Sequence, residues 1–261
     1  MPFFPLPDTE LDHRKARIEL GLYLIYTSAL LGFYNLTIEL LDKIFKFTGA
    51  TTYGTILTLI FYSCAFLIMI KHMKLPLSKF GFRLGNHVKK DIIEALVWTV
   101  LFCIFLTGLK FLLIRTVTVL SILPLFDFSL NSFAGFRVYQ ETTPVWFFSG
   151  FLYLLFTPAQ TFIMQGAIQS PLIFLLESKH ATWISILLST LMFGALHIDL
   201  HLVYAYSVLL PGFMWAVMYA RQRSLLGVTL SHAIVGLWAF WALGFEYVFD
   251  IISRVWGLPH A

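Results

Sequence analysis

Two histidines, His197 and His232, lie inside stretches that are apolar and long enough to cross a membrane, with polar neighbours at helical spacing. An ionisable side chain in hydrocarbon is costly, roughly 2.5–3.5 kcal/mol for a charged one at a helix centre, so it marks a function by default. A neutral imidazole costs less, but its ring nitrogens still need partners. The segments read Phe193-Gly-Ala-Leu-His197 and His232-Ala-Ile-Val-Gly236, and a third polar cluster, Gln160-Thr161-Phe-Ile-Met-Gln165-Gly166, precedes them. On an α-helix residues i and i+4 share a face. Thr161, Gln165 and Gln169 then form one polar stripe, and Gln160 points about 100° away from Thr161. His197 lies above Phe193, while His232 shares a face with Gly236 and has Ser231 beside it.

Several chemistries fit such residues, and each meets an obstacle. The run His197-Ile-Asp199-Leu-His201 holds a histidine pair at i, i+4 that can bind zinc, and His232 could complete three ligands. No glutamate stands where a zinc protease keeps its base, however, and His201 falls at the end of its apolar stretch, so no metal and no other cofactor is expected. A serine hydrolase using Ser231 or Ser170 lacks the Gly-x-Ser-x-Gly elbow. The acids that remain nearby are Glu177, Asp199, Glu246 and Asp250; Asp199, two residues from His197, is on the wrong helical face to touch it. Histidines alone could act as bases near an unperturbed pKa of about 6.5. The structural alternative is a buried, hydrogen-bonded His197–His232 pair that fixes helix packing, with Gln160, Thr161 and Gln165 as polar glue between helices.

The elements that position these residues follow from composition. Of 261 residues, 59% are hydrophobic and 12% charged, with 27 Phe and a mean hydropathy of +0.81. Soluble domains carry roughly 25% charged residues, so this is read as an integral membrane protein. Residues 1–17 are polar and Pro-rich, with no apolar core or cleavage site, so the first span is expected to act as its own uncleaved signal. The net charge of +4 and pI near 9.0 do not imply nucleic acid, because the basic residues cluster at the ends of apolar stretches. Cys64 and Cys103 fall within apolar runs and are read as small packing residues.

At about 20 residues per crossing, the apolar runs divide into about seven spans: 19–41, 52–71, 92–114, 145–176, 181–201, 203–220 and 225–251. The fold class is therefore all-α, a polytopic transmembrane bundle. The long fourth span holds Pro158 and Pro171 and is expected to be kinked or broken. Between the second and third spans lie Lys71, Lys74, Lys79, Arg83, Lys89 and Lys90, which places that loop and the N-terminus in the cytoplasm. The expected organisation is a cytoplasmic segment 1–18, N-terminal helices and loops over 19–144, a core domain 145–251 and a tail 252–261.

The order and spacing of the polar motifs resemble the CPBP intramembrane protease family, which includes the CAAX prenyl endopeptidases and the Abi bacteriocin-processing proteins. Its motifs run Glu-Glu-x-x-x-Arg-Gly, then Phe-x-x-x-His, then His-x-x-x-Asn. Here the second is intact as Phe193 and His197; the third keeps His232 but has Gly236 where Asn or Asp is usual. The first aligns as Gln160-Thr161-x-x-x-Gln165-Gly166 and lacks both glutamates and the arginine. The resemblance covers roughly residues 145–240, helped by Gly212-Phe213 ahead of Tyr219-Ala-Arg221.

In that family the first glutamate is taken as the general base that activates water, assisted by the histidines and the Asn. Gln160 is nearly isosteric with Glu but cannot take up a proton at neutral pH. General base catalysis is worth about 10²–10⁴-fold, so a glutamate-based hydrolysis should be crippled. Joint loss of the second Glu and the Arg leaves the neutral pair Thr161 and Gln165 instead of a stranded buried charge. The resemblance thus implies a degenerate catalytic site at His197, His232, Gln160, Gln165 and Gly236. It implies a protein of a bacterial-type plasma membrane, in contact with membrane lipid, that binds or regulates another membrane protein or a hydrophobic or lipidated peptide. The alternatives are an active intramembrane endopeptidase with divergent residues, and a transporter or metal-handling protein.

Overall fold

The computed structural model describes residues 18, 21–23, 25–30, 32–33, 36–37, 40, 51–72, 76–83, 85, 87–128, 143–175, 180–198 and 202–257. The N-terminal segment, most of the 121–144 loop, Glu177, Asp199 and His201 lie outside the described residues. Among the described residues every regular element is helical. In chain order they are α1 (Gly21–Leu30), α2 (Thr51–His72), α3 (Val88–Thr116), α4 (Thr143–Thr161), α5 (Ser170–Leu175), α6 (Ala181–Ala195), α7 (Leu202–Ser207), α8 (Leu209–Gln222), α9 (Leu225–Gly236) and α10 (Phe245–Val255). Two π-helical segments join them: Phe162–Gln169 between α4 and α5, and Leu237–Ala242 after α9.

Among the described residues three helices are long and apolar enough to cross a membrane: Val88–Thr116, Leu202–Gln222 and Leu225–Ala242. Shorter apolar helices run over Leu59–Lys71 and Ala181–Ala195. The outward face of α3 is apolar along its middle, with Val97, Val100, Leu101, Ile104, Phe105 and Leu112 all exposed. Continuous apolar surface on this scale is foreign to a monomer in water and suits hydrocarbon. The fold therefore reads as a helical membrane protein.

The core is organised on the segment Phe162–Gln169, in which every residue is buried. Around it pack α4, α6, α8 and α9, contributing Phe193, Trp215, Met218, Tyr219, Val228 and Val235. Pro158 lies inside α4, where it has no N–H to give to the carbonyl of Leu154. The hydrogen bonds then lengthen to the i→i+5 pattern of a π-helix, a wide turn found mostly at functional sites. This change of pitch divides the expected polar stripe. Thr161 faces α9, whereas the Gln169 amide donates to the carbonyl of Ala216 on α8 at 2.7 Å.

Several chain turns meet at one end of the bundle. Ser170 donates to the carbonyl of Lys79 at 2.5 Å, the N–H of Leu225 donates to Gly81 at 3.0 Å, and Arg221 pairs with Glu94 at 2.7 Å. Lys79, Arg83, Lys89, Lys90, Arg221 and Arg223 belong to this end.

At the other end, the stretch 225–251, expected as one span, divides at Gly244. That residue takes φ +56°, a left-handed backbone that glycine adopts readily, and the chain turns into α10. The turn is held from α3 and the following loop. The Lys110 ammonium, fully buried, donates to the carbonyl of Leu243, and the N–H of Asp127 donates to Ala242 at 2.9 Å. A cation and an N–H at these carbonyls satisfy the acceptors that a helix C-terminus leaves open.

Candidate functional site

His197 follows the end of α6, where the chain tightens so that its N–H donates to Gly194 at 2.9 Å. Its ring folds back along the helix, and Nδ1 lies 2.6 Å from the carbonyl of Phe193. A carbonyl only accepts, so the proton of a neutral ring sits on Nδ1 and Nε2 keeps a lone pair. The ring lies 4.5 Å from that of Phe193 and 5.5 Å from that of Tyr204 on α7. Among the described residues Nε2 has no hydrogen-bond partner.

His232, on α9, is held differently. Trp215 of α8 stacks on it with centroids 3.9 Å apart and planes 29° apart, and its Nδ1 lies 3.2 Å from Thr161 Oγ1. Phe193 meets it edge-on at 5.8 Å, so one phenyl ring touches both imidazoles. Ser231 faces elsewhere: Thr99 Oγ1 lies 2.7 Å from its hydroxyl, and the Trp215 indole N–H donates to it at 3.2 Å. The same indole is thereby fixed over His232, and the Ser231 hydroxyl is engaged in joining α3, α8 and α9. Ser170 is likewise engaged, with Lys79.

Gln160 shares a cavity with His197, of about 430 Å³ including its mouth. Its apolar walls come from Leu59 of α2, Ile163 and Met164 of the π segment, and Phe193 and Leu196; Tyr62 is the remaining polar lining residue. His232 does not line it. Gln165 is buried in the π segment away from this lining. The structure thus brings Gln160 and His197 together and joins His232 to them through Phe193, while Gln165 and Gly236 stand apart from the cavity.

Gly236 has a steric explanation. A Cβ built there would meet Tyr153 Oη at 1.6 Å and Cζ at 2.3 Å, so the phenol of α4 occupies the volume of any side chain at 236. The hydroxyl donates to the carbonyl of His232 at 3.3 Å, and the ring stands edge-on to His232 at 6.4 Å. An O–H group therefore remains beside His232 even though residue 236 has none.

Tyr153, Trp215 and Tyr204 were missed in the sequence because an aromatic at helical spacing in a chain with 27 Phe carries no distinguishing signal. The glycine was the signal available: a residue without a side chain one turn after His232 marks close approach by another element. Among the described residues no three His, Cys, Asp or Glu converge as a metal site would require, and neither imidazole hydrogen-bonds a carboxylate. Comparisons with protein-family models, with curated proteins and with solved structures find no match for this chain.

Proposed function

We propose that this is a catalytically degenerate membrane protein of the CPBP type, which binds a hydrophobic or lipidated peptide, or a segment of another membrane protein, without cleaving it. The carrying observation is the cavity at Gln160 and His197: it offers an amide, a phenol and an imidazole against apolar walls, and among the described residues its lining contains no carboxylate. The enclosed space, about 40 Å³, is far below that of drug-sized ligand pockets, roughly 300–1,000 Å³, so only the tip of a ligand enters it and the rest lies in the open mouth. The glutamate base of the family has no counterpart among the described lining residues, and neither imidazole hydrogen-bonds a carboxylate that would support it as a base. In this reading the chain crosses a plasma membrane of bacterial type about seven times, with the N-terminus cytoplasmic and the fourth crossing distorted around Pro158.

One observation favours a surviving endopeptidase. Glu246 lies close enough to Tyr204 to act on it electrostatically, and Tyr204 packs on His197, so an acid stands one residue removed from the imidazole. The decisive experiment presents prenylated and leader-type peptides to the reconstituted protein and follows binding and cleavage together. Binding without cleavage is expected. Cleavage that disappears in both His197→Ala and Glu246→Gln would replace the binding reading with the hydrolytic one.

A further inference from the structure

We propose that the cavity beside His197 takes a single apolar chain ending in a neutral hydroxyl group, as the head of a membrane lipid. This rests on the reading of the cavity as a binding site and assigns the chemistry of what enters it. Five of the eight lining residues, Leu59, Ile163, Met164, Phe193 and Leu196, are apolar and ask for a hydrocarbon chain. Three lining residues are polar, Gln160, Tyr62 and His197, and the head group is read from the amide and the imidazole. His197 gives its Nδ1 proton to the Phe193 carbonyl, so the neutral ring has only an acceptor left, at Nε2. A ligand must therefore bring a donor. Gln160 carries both a donor and an acceptor on its amide. A hydroxyl can donate to one and accept from the other, and it leaves no charge inside apolar walls.

Charged heads fit poorly. A carboxylate would set its negative charge against the lone pair on Nε2, and an ammonium would be desolvated with no acid among the described lining residues to offset it. His232 adds no further contact, because Trp215 and Thr161 hold it outside the lining. The enclosed space, about 40 Å³, admits the end of a chain and is too small for a peptide backbone with its flanking residues.

The test uses the full-length protein in lipid nanodiscs and tritiated 1-hexadecanol, counting the label displaced by excess unlabelled alcohol at pH 7. Competition by hexadecanoate, hexadecylammonium and hexadecane then ranks the heads. The alcohol should compete about tenfold better than any of the three, as one or two neutral hydrogen bonds allow. His197→Phe, which keeps a ring against Phe193, should weaken the alcohol about tenfold toward hexadecane, and so should Gln160→Met. If His197→Phe fails to fold, the ranking on the unmodified protein and the Gln160→Met result still decide. Hexadecanoate competing as well as the alcohol overturns the head-group assignment and makes His197 a cation. Prenylated peptide binding in the absence of displaceable alcohol overturns this proposal and leaves the binding reading intact. Failure of alcohol and peptide alike removes both.

Discussion

Tyr153 and Gly236 contend for one volume, and the phenol holds it. Adding a methyl group at 236 must push Tyr153 off the carbonyl of His232. Overpacking of this kind costs about 1–3 kcal/mol, so Gly236→Ala should lower stability by that amount in detergent unfolding. Tyr153→Phe should not relieve it, because Cζ alone would still lie 2.3 Å from the new carbon, whereas Tyr153→Leu should. The relief appears as a coupling energy in the double-mutant cycle, and strictly additive effects would show that the two residues do not share the space. The same geometry bears on restoring an acid. Gln160→Glu places a carboxylate in a cavity that neither His232 nor Gly236 lines, and residue 236 cannot become Asn while Tyr153 stays. Cleavage of prenylated or leader peptides should remain at background, and a gain on the order of 10²-fold, typical of a working general base, would refute this.

At the scale of elements, the π segment and the Ser231 junction set where the imidazoles stand. The i→i+5 turns after Pro158 separate Thr161 from Gln169, sending one to α9 and the other to α8. Ser231 then fixes α8 and α9 relative to α3, since Trp215 donates to it and Thr99 meets it from the opposite side. In Ser231→Ala the Thr99 hydroxyl still reaches the carbonyl of Ala95 at 2.7 Å, but the Trp215 N–H loses its acceptor. A buried donor left unsatisfied costs about 1–3 kcal/mol, and freeing the indole should also loosen its stack on His232. Thermal unfolding and tryptophan emission check both effects. Unchanged stability together with unchanged emission would show that Ser231 does not anchor Trp215.

At the scale of the whole molecule, charge and packing agree on which turns share a side. The segments 77–83 and 221–225 are joined by the Leu225–Gly81 bond, and Arg221 reaches Glu94 near the start of α3. Lys79, Arg83, Lys89, Lys90, Arg221 and Arg223 thus gather at one end, the pattern of a cytoplasmic face. In a background with Cys64→Ser and Cys103→Ser, Arg83→Cys, whose position is exposed, should react with an impermeant maleimide only when the reagent reaches the cytoplasmic side. Labelling from outside intact cells would invert the topology. The opposite end is closed by Lys110 and Asp127, which hold the carbonyls at Leu243 and Ala242 where the chain turns at Gly244.

The class of the molecule was set by the chain itself. Hydropathy, scarcity of charge and apolar runs of about 20 residues call for helices, because a backbone in hydrocarbon must satisfy its own hydrogen bonds and runs of that length suit a helix rather than a barrel strand. The chain also marked His197, His232 and Gln160 as polar groups out of place, since the cost of burying them does not depend on their neighbours. Their environment was decided in three dimensions. A period of 3.6 predicts one stripe from Thr161 to Gln169; Pro158 marks where the helix must be disturbed, and the fold decides that the disturbance is the wider π turn that divides the stripe. The stretch 225–251 is mostly apolar, with Glu246 and Asp250 near its end, and hydropathy does not fix the turn at Gly244; a lysine distant in sequence satisfies a carbonyl exposed there. At 236 the sequence shows a missing side chain, and the structure shows what fills its place. A contact between residues 153 and 236 depends on how α4 crosses α9, which no local pattern encodes.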